Sequence, residues 1–367
     1  MAANLGPRQA EEVFRSEGGR VEVWRNDYEI MKVANVCAAK VVLYPGGLAL
    51  PKYCDSAQIY YVLEGCGRVG VVFPGSEIEH VRKVRHGAVV AIPEGAINWW
   101  YNEGQTDLVI LSLGETSKGH RRGEYTNFYL FGASQEKCNN GVVHGFSAEF
   151  LAHAWDLDEI TVKQLVEAQK GAVIVKPSEA IEFPDSVHEK IDAGYEEFVY
   201  NVEDAELDTD VKNGGRVAVL TSEKLPFLKK LGLGADLVKL DPGAMCSPGF
   251  SSDAAYQVTY IVRGSGRVQV VGNEGIRVIE AELKAGDFFI VPPFFIVSKI
   301  AGKEGMEWFS IITSENPIFA NLGGKTSVLK SLSPQIISAS LNVPKELEQK
   351  LRGRRTNDAV FFPPSRS

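Results

Sequence analysis

The sequence predicts an all-β chain of two barrels, each followed by a helical segment. Three observations carry that prediction. The chain is written twice: "YYVLEGCGRVGVV" from Tyr60 recurs as "TYIVRGSGRVQVV" from Thr259, and "GAVVAIP" from Gly87 recurs as "GDFFIVP" from Gly286. The repeat also keeps its register, because Gln58 and Gln257, Gly65 and Gly264, and Pro93 and Pro292 all stand 199 residues apart. Finally, both copies read as short β-branched runs broken by Gly and Pro turns at close intervals, which is the pattern of a sandwich or barrel.

Each copy opens on "GGRV", at Gly18 and at Gly214. The strands that follow include "KVVLYPGG", "QIYYVLEGCGRVGVVF" and "LVILSLG" in the first copy and "WFSIITS" in the second. A helical segment, "SAEFLAHAWDLDEITVKQLVEAQKG", then offers Asp158 as an N-cap and Gly171 as a stop. Its counterpart "SPQIISASLNVPKELEQKLRG" places Pro344 near a helix start and Gly353 at the end. The expected division is 1–175 for the first barrel with its helices and 176–367 for the second. Apolar residues recur on one face of each helical segment, among them Trp155, Leu165, Leu341 and Leu351. Such a stripe packs either on its own barrel or against a neighbouring subunit.

Composition narrows the function. At 367 residues, with 44% hydrophobic and 23% charged content, the chain is of the soluble globular class. No apolar run approaches the roughly 18 residues that a membrane helix needs. The opening "MAANLGPRQAEEVFRSEGG" lacks the apolar core of a secretory signal, so a cytoplasmic location is expected. Five cysteines, Cys37, Cys54, Cys66, Cys138 and Cys246, are odd in number and form no CxxC pair, which predicts reduced thiols. Asp and Glu number 47 against 39 Lys and Arg, a net charge of −8, and no basic stripe is interleaved with aromatics. Neither nucleic acid nor a membrane is an expected partner.

The stretch "GAVVAIPEGAINWWYN" from Gly87 fits G-x5-P-x-G-x2-H-x3-N at every position but one, where Asn98 replaces the histidine. That pattern is the second half of the cupin motif, so the chain resembles a cupin with two barrels, a bicupin. "LALPKYCDSAQIYYVLEG" resembles the first motif of the N-terminal barrel of legumin-type (11S) seed storage globulins. "GGRVAVLTSEKLPFLKKLGLGADLVKLDPGAM" is similar to the opening of their C-terminal barrel, and "GFSAEFLAHAWDLDEITVKQL" to the helical segment between the two. The resemblance spans nearly the whole chain. It implies jelly-roll barrels, a non-catalytic reserve, structural or small-molecule-binding role, and a homotrimer joined through the helical segments, with Trp155, Leu165, Leu341 and Leu351 near the contacts.

In catalytic cupins, three histidines and a glutamate hold one divalent metal inside the barrel. The matching positions here are Lys52, Cys54, Gln58 and Asn98 in the first barrel and Ser251, Asp253, Gln257 and Val297 in the second. An ammonium repels a cation, and Gln58 removes the anionic charge that such a site exploits. All six histidines lie before residue 189, so the second copy has none. No metal or other cofactor is expected. Lys52, Cys54, Gln58, Asn98 and Trp100 form instead a candidate polar pocket for a small molecule in the N-terminal barrel, with Ser251, Asp253 and Gln257 as counterparts in the second.

An alternative is a metal-independent isomerase or cyclase that uses this polar cluster as acid, base and hydrogen-bond donor. An open cavity with a converging lysine favours that enzyme, whereas a barrel filled by side chains favours the non-catalytic reading. Cys54 near Lys52 reads either as an activated thiol or as a small buried hydrophobe. His80 and His86 fall off the motif and are expected to be solvated loop residues.

Overall fold

A computed structural model of the protein describes residues 5–25, 27–133, 140–183 and 197–364. Within them the chain forms two units. The first unit holds β1 (Glu11–Ser16), β2 (Gly19–Val23), β3 (Val36–Leu43), β4 (Leu48–Cys54), β5 (Ala57–Glu64), β6 (Cys66–Val72), β7 (Glu79–Arg85), β8 (Ala88–Ile92), β9 (Ile97–Tyr101), β10 (Leu108–Glu115), β11 (Asn127–Tyr129), β12 (Ile174–Val175) and β13 (Val199–Asn201). One antiparallel sheet runs β1-β2-β3-β10-β5-β8-β13 and the other runs β11-β4-β9-β6-β7, with β12 added beside β4. These are the two faces of a jelly roll. Strand β5 is buried from Ala57 through Leu63, with Gln58 its one polar side chain in that run apart from the tyrosine hydroxyls, and all of β8 is buried, as fully covered central strands should be.

The second unit repeats the plan with β14 (Thr209–Val211), β15 (Gly215–Leu220), β16 (Gly234–Leu240), β17 (Met245–Cys246), β18 (Gly249–Ser251), β19 (Gln257–Val271), β20 (Arg277–Lys284), β21 (Phe288–Val291), β22 (Ile296–Ile312), β23 (Phe319–Asn321) and β24 (Phe361–Phe362). Here β19 does the work of β5 and β6 in one strand, and β22 that of β9 and β10. Both copies need glycine where the strand crosses between sheets. Gly65 and Gly264 have φ of +81° and +77°, and a Cβ would lie 2.3 Å from the Asp107 carbonyl oxygen and 2.2 Å from that of Gly305.

The division between units falls at 203/204, not at the expected 175/176. Ile174 and Val175 pair with β4, and β13 pairs with β8 through Val199–Val90, Tyr200–Val89 and Asn201–Ala88, which ties the chain up to 203 to the first barrel. Residues 5–9 conversely belong to the second unit. Arg8 exchanges two backbone hydrogen bonds of 2.9 Å with Phe288, and Tyr28 donates its hydroxyl proton to the Leu5 carbonyl.

Besides the short α1 (Glu29–Ala34), the first copy carries α2 (Ala148–Trp155) and α3 (Glu159–Ala168). Asp158 caps α3 as expected, accepting from the backbone N–H of Ile160 and Thr161. Gly171 does not stop it. The helix ends at Ala168 because Gln169 turns extended, and Gly171 N–H bonds the Gln169 side chain instead. After α4 (Leu228–Leu231) and α5 (Val328–Ser331), the second copy carries α6 (Pro334–Leu341) and α7 (Lys345–Arg352), with Pro344 and Gly353 at the two ends of α7.

Candidate functional site: two barrel interiors

In the first barrel the register of β4 against β9 puts Lys52 directly opposite Asn98. The Lys52 ammonium donates to Asn127 Oδ1 on β11 at 2.7 Å, and burial pushes its pKa down. Gln58 accepts from the Tyr60 hydroxyl, and its Nε2 lies 3.6 Å from Cys54 Sγ. The Trp100 ring leans on Tyr60 with centroids 5.1 Å apart. Two buried atoms there have no partner among the described residues, Trp100 Nε1 and Asn98 Oδ1. Asn98 Nδ2 reaches the Lys52 and Ala96 carbonyls only at 3.4 Å.

Lys52, Gln58 and Trp100 line a common cavity, with Tyr60, Tyr125 and Tyr129 closing much of it. Its volume is about 60 Å³. A dry cavity that takes a benzene ring measures roughly 150 Å³, so this space suits water and no organic molecule. The small-molecule pocket expected in the N-terminal barrel is therefore filled by the barrel's own aromatic side chains. An open cleft of about 310 Å³ past Trp24 and Arg25 shares Tyr125 and Asn127 with it, but Lys52, Gln58 and Trp100 do not line that cleft.

The residues present do not fit a divalent metal. Lys52 brings a cation, Gln58 and Asn98 are neutral, and among the described residues no three of His, Cys, Asp and Glu converge. Cys54 is no activated thiol, because burial raises its pKa and outweighs Lys52 nearby. His80 departs from expectation: it lies within β7, buried, with its ring against Phe73 and Phe198. His86 sits in the turn after β7, half exposed, with Nδ1 2.7 Å from the Leu63 carbonyl oxygen.

The rest of the motif frame has structural duties. Asn102 is fully buried; its amide donates to the Leu43 and Thr106 carbonyls at 2.8 Å each and accepts from Gly104 N–H at 2.8 Å. It is fully used as a loop clasp, which explains why the motif keeps it when the histidine is gone.

In the second barrel Ser251 is buried and accepts from Gln257 Nε2 at 3.2 Å, while both carboxylate oxygens of Asp253 are buried without a described partner. Only Gln257 of these three lines the cavity there, which is open and measures about 290 Å³. Val297 lines it too, at the position of Asn98. Sequence reasoning missed the residues that give this cavity its character: Asp236, Lys299 and Trp308. A signal for Lys299 was present, since it falls two residues after Val297 and so shares its inward face.

On the helices Leu151, Val162 and Ile337 are buried. The expected contact residues are not: Trp155, Leu165, Leu341 and Leu351 remain 38%, 56%, 54% and 44% exposed, joined by Phe150, Ile160, Ile336 and Leu347.

The sequence profile of the family described as Cupin matches residues 5–163 and 200–349, one match per barrel. The chain belongs to the cupin family. It is 28% identical over 408 residues to 11S globulin seed storage protein 2 of Sesamum indicum, covering 96% of this chain and 89% of that one. The crystal structure of the coconut allergen cocosin superposes with a TM-score of 0.91 at 28% identity, covering 99% of this chain and 100% of that one. A third cupin, the 11S globulin of Wrightia tinctoria, whose structure is described as revealing an auxin binding site, gives 0.89 at 26% identity, with 97% and 95% covered. This bicupin is thus related to the legumin-type seed storage globulins, and these relatives lend no support to the enzyme alternative.

Proposed function

We propose that this protein is a non-catalytic, legumin-like bicupin that acts as an oligomeric reserve or structural protein, assembled as a homotrimer. The exposed apolar stripes of α2, α3, α6 and α7 carry the reading. Eight large apolar side chains on four short helices are costly to leave in water, at about 25 cal/mol for each Å² of apolar surface. Two related helical ends on one chain allow three copies to close head to tail into a ring, as heterologous contacts must close. The degenerate first-barrel motif agrees, since Lys52, Gln58 and Asn98 offer neither a metal site nor room for a substrate.

Light scattering on the purified chain at micromolar concentration tests this. A mass near three times 40.2 kDa is expected. Leu165→Asp with Leu351→Asp should shift it to the monomer by burying carboxylates against apolar partners. A monomer mass for the unmodified protein overturns the reading.

A further inference from the structure

We infer that the first barrel binds a monovalent inorganic anion of halide size between the Lys52 ammonium and the Trp100 indole N–H. The residues involved are not those of the helical stripes, so the inference does not depend on trimer formation.

The repeat supplies the argument. Each barrel has one lysine in its cavity, and the second brings its own counter-ion, because the Asp236 carboxyl acts on Lys299 and lines the same space. The first barrel has Ala39 in that place: Ala39 stands opposite Ser112 as Asp236 stands opposite Ser310. Among the described residues no acid lines the first cavity. The ionisable groups that act on Lys52 are the thiols of Cys54 and Cys37, which burial keeps protonated. Asp55, the carboxylate next along the chain, is engaged by Ser56, His120 and Thr126. Lys52 does have Asn127 Oδ1 as a hydrogen-bond acceptor, but an amide oxygen brings no net charge to set against a buried ammonium.

The side chains around the cavity offer donors in excess of free acceptors. Trp100 is 3% exposed, and its Nε1 is buried with no partner among the described residues. Gln58 Nε2 has only Cys54 Sγ, a weak acceptor at 3.6 Å, and the Lys52 ammonium has N–H bonds beyond the one given to Asn127. The acceptors are already engaged: Gln58 Oε1 by the Tyr60 hydroxyl, Asn127 Oδ1 by Lys52, and the Tyr125 hydroxyl oxygen by Ser112. A water would satisfy the donors but leave its own protons poorly used, whereas an anion only accepts. The volume of about 60 Å³ excludes organic acids and admits an ion scarcely larger than a water molecule. The open cleft past Trp24 and Arg25 adjoins this cavity through Tyr125 and Asn127, on the route an entering ion would take.

The test replaces gluconate, too large for the cavity, by bromide at constant ionic strength around the full chain, and reads the melting temperature and the diffraction of crystals grown in bromide. The melting temperature should rise with the logarithm of bromide concentration once the site fills. Diffraction at the bromine absorption edge should place an anomalous peak in contact with Lys52 Nζ and Trp100 Nε1. Lys52→Met should weaken binding by at least about tenfold, the loss of a charge-assisted contact, and Trp100→Phe by a smaller factor. Lys299→Met, in the other barrel, should leave it unchanged. The bromine peak is read on the unmodified chain, so it decides the matter even if Lys52→Met does not fold. The inference is overturned if no bromine peak appears in the first barrel, if the bromide-dependent rise survives in Lys52→Met, if Trp100→Phe binds as tightly as the unmodified chain, or if Lys299→Met loses the rise.

Discussion

The two barrels share a register and differ in what fills them. Tyr60 stands opposite Ser112 in the first, and Thr259 stands opposite Ser310 in the second, so one aromatic ring is present in one copy and absent from the other. Trp100 faces Val69 where Lys299 faces Val268. Ala39 faces Ser112 where Asp236 faces Ser310. Each barrel buries one lysine in its cavity, but Lys52 is tied to Asn127 while Lys299 has no such tie. The same frame has thus been closed by aromatics in one copy and left open and charged in the other. Loss of the motif histidine says nothing by itself about whether a barrel still has an interior to offer.

Filling can be undone. Tyr60→Thr copies the second barrel's residue into the first, removing a buried ring and its hydrogen bond to Gln58. The expected loss is about 3–4 kcal/mol, read from urea unfolding. A loss below about 1 kcal/mol would mean that the first barrel's ring does not support its packing, and would break the comparison.

The next effect belongs to the open barrel. Burial pushes the Asp236 carboxyl up to about 6 from its ordinary 3.8, although Lys299 and Ser310 favour its charged form. Between those two values the folded chain holds a proton that the unfolded chain has released, so stability falls as pH rises from about 4 to 6, and the full penalty applies above that. Asp236→Asn should therefore raise stability at pH 7 by about 2–3 kcal/mol, and the advantage should vanish near pH 4. Ala39, its counterpart, contributes no such pH dependence.

The buried lysines sharpen the contrast further. At pH 5 the folded chain holds Asp236 protonated and Lys299 faces no anion, so Lys299→Met should stabilise there, whereas Lys52→Met leaves Asn127 Oδ1 without its donor. The two variants should differ by about 1–2 kcal/mol in unfolding free energy, with Lys299→Met the more stable. Equal values would mean that the two ammonium groups are solvated alike.

Most of the fold was legible because the marks that specify it are local. Gly65, Gly264, Pro93 and Pro292 announce turns whatever the barrel contains, and Asp158 and Pro344 announce helix starts. The domain division was not legible, because it depends on the three-residue β13 finding β8 more than a hundred residues away. Such a pairing has no periodicity to read. Among site residues, motif alignment directed attention to Val297 and passed over Lys299, which ordinary strand alternation places on the same face. Asp236 had no comparable signal: in β16 the buried positions do not alternate, so its inward placement emerges only from pairing with Ser310.

The smallest expected effect lies in the turn of the motif itself. Gly95 has φ of +76°, and the second copy keeps that left-handed turn at Phe294, with φ of +66°, although it has lost the glycine. A side chain with a Cβ is strained there by roughly 1–2 kcal/mol, and Phe294 is 59% exposed, so burial of its ring returns little. A Cβ at Gly95 would meet nothing nearer than Pro74 Cγ at 3.9 Å, so Gly95→Ala adds backbone strain without a clash. Phe294→Gly should accordingly stabilise the chain by about 1 kcal/mol and Gly95→Ala destabilise it by a similar amount, both read as shifts in urea midpoint at constant slope. If Phe294→Gly instead destabilises a chain kept monomeric by the Leu165→Asp and Leu351→Asp changes, the exposed ring makes contacts within its own barrel that outweigh the strain, and the two turns are not equivalent after all.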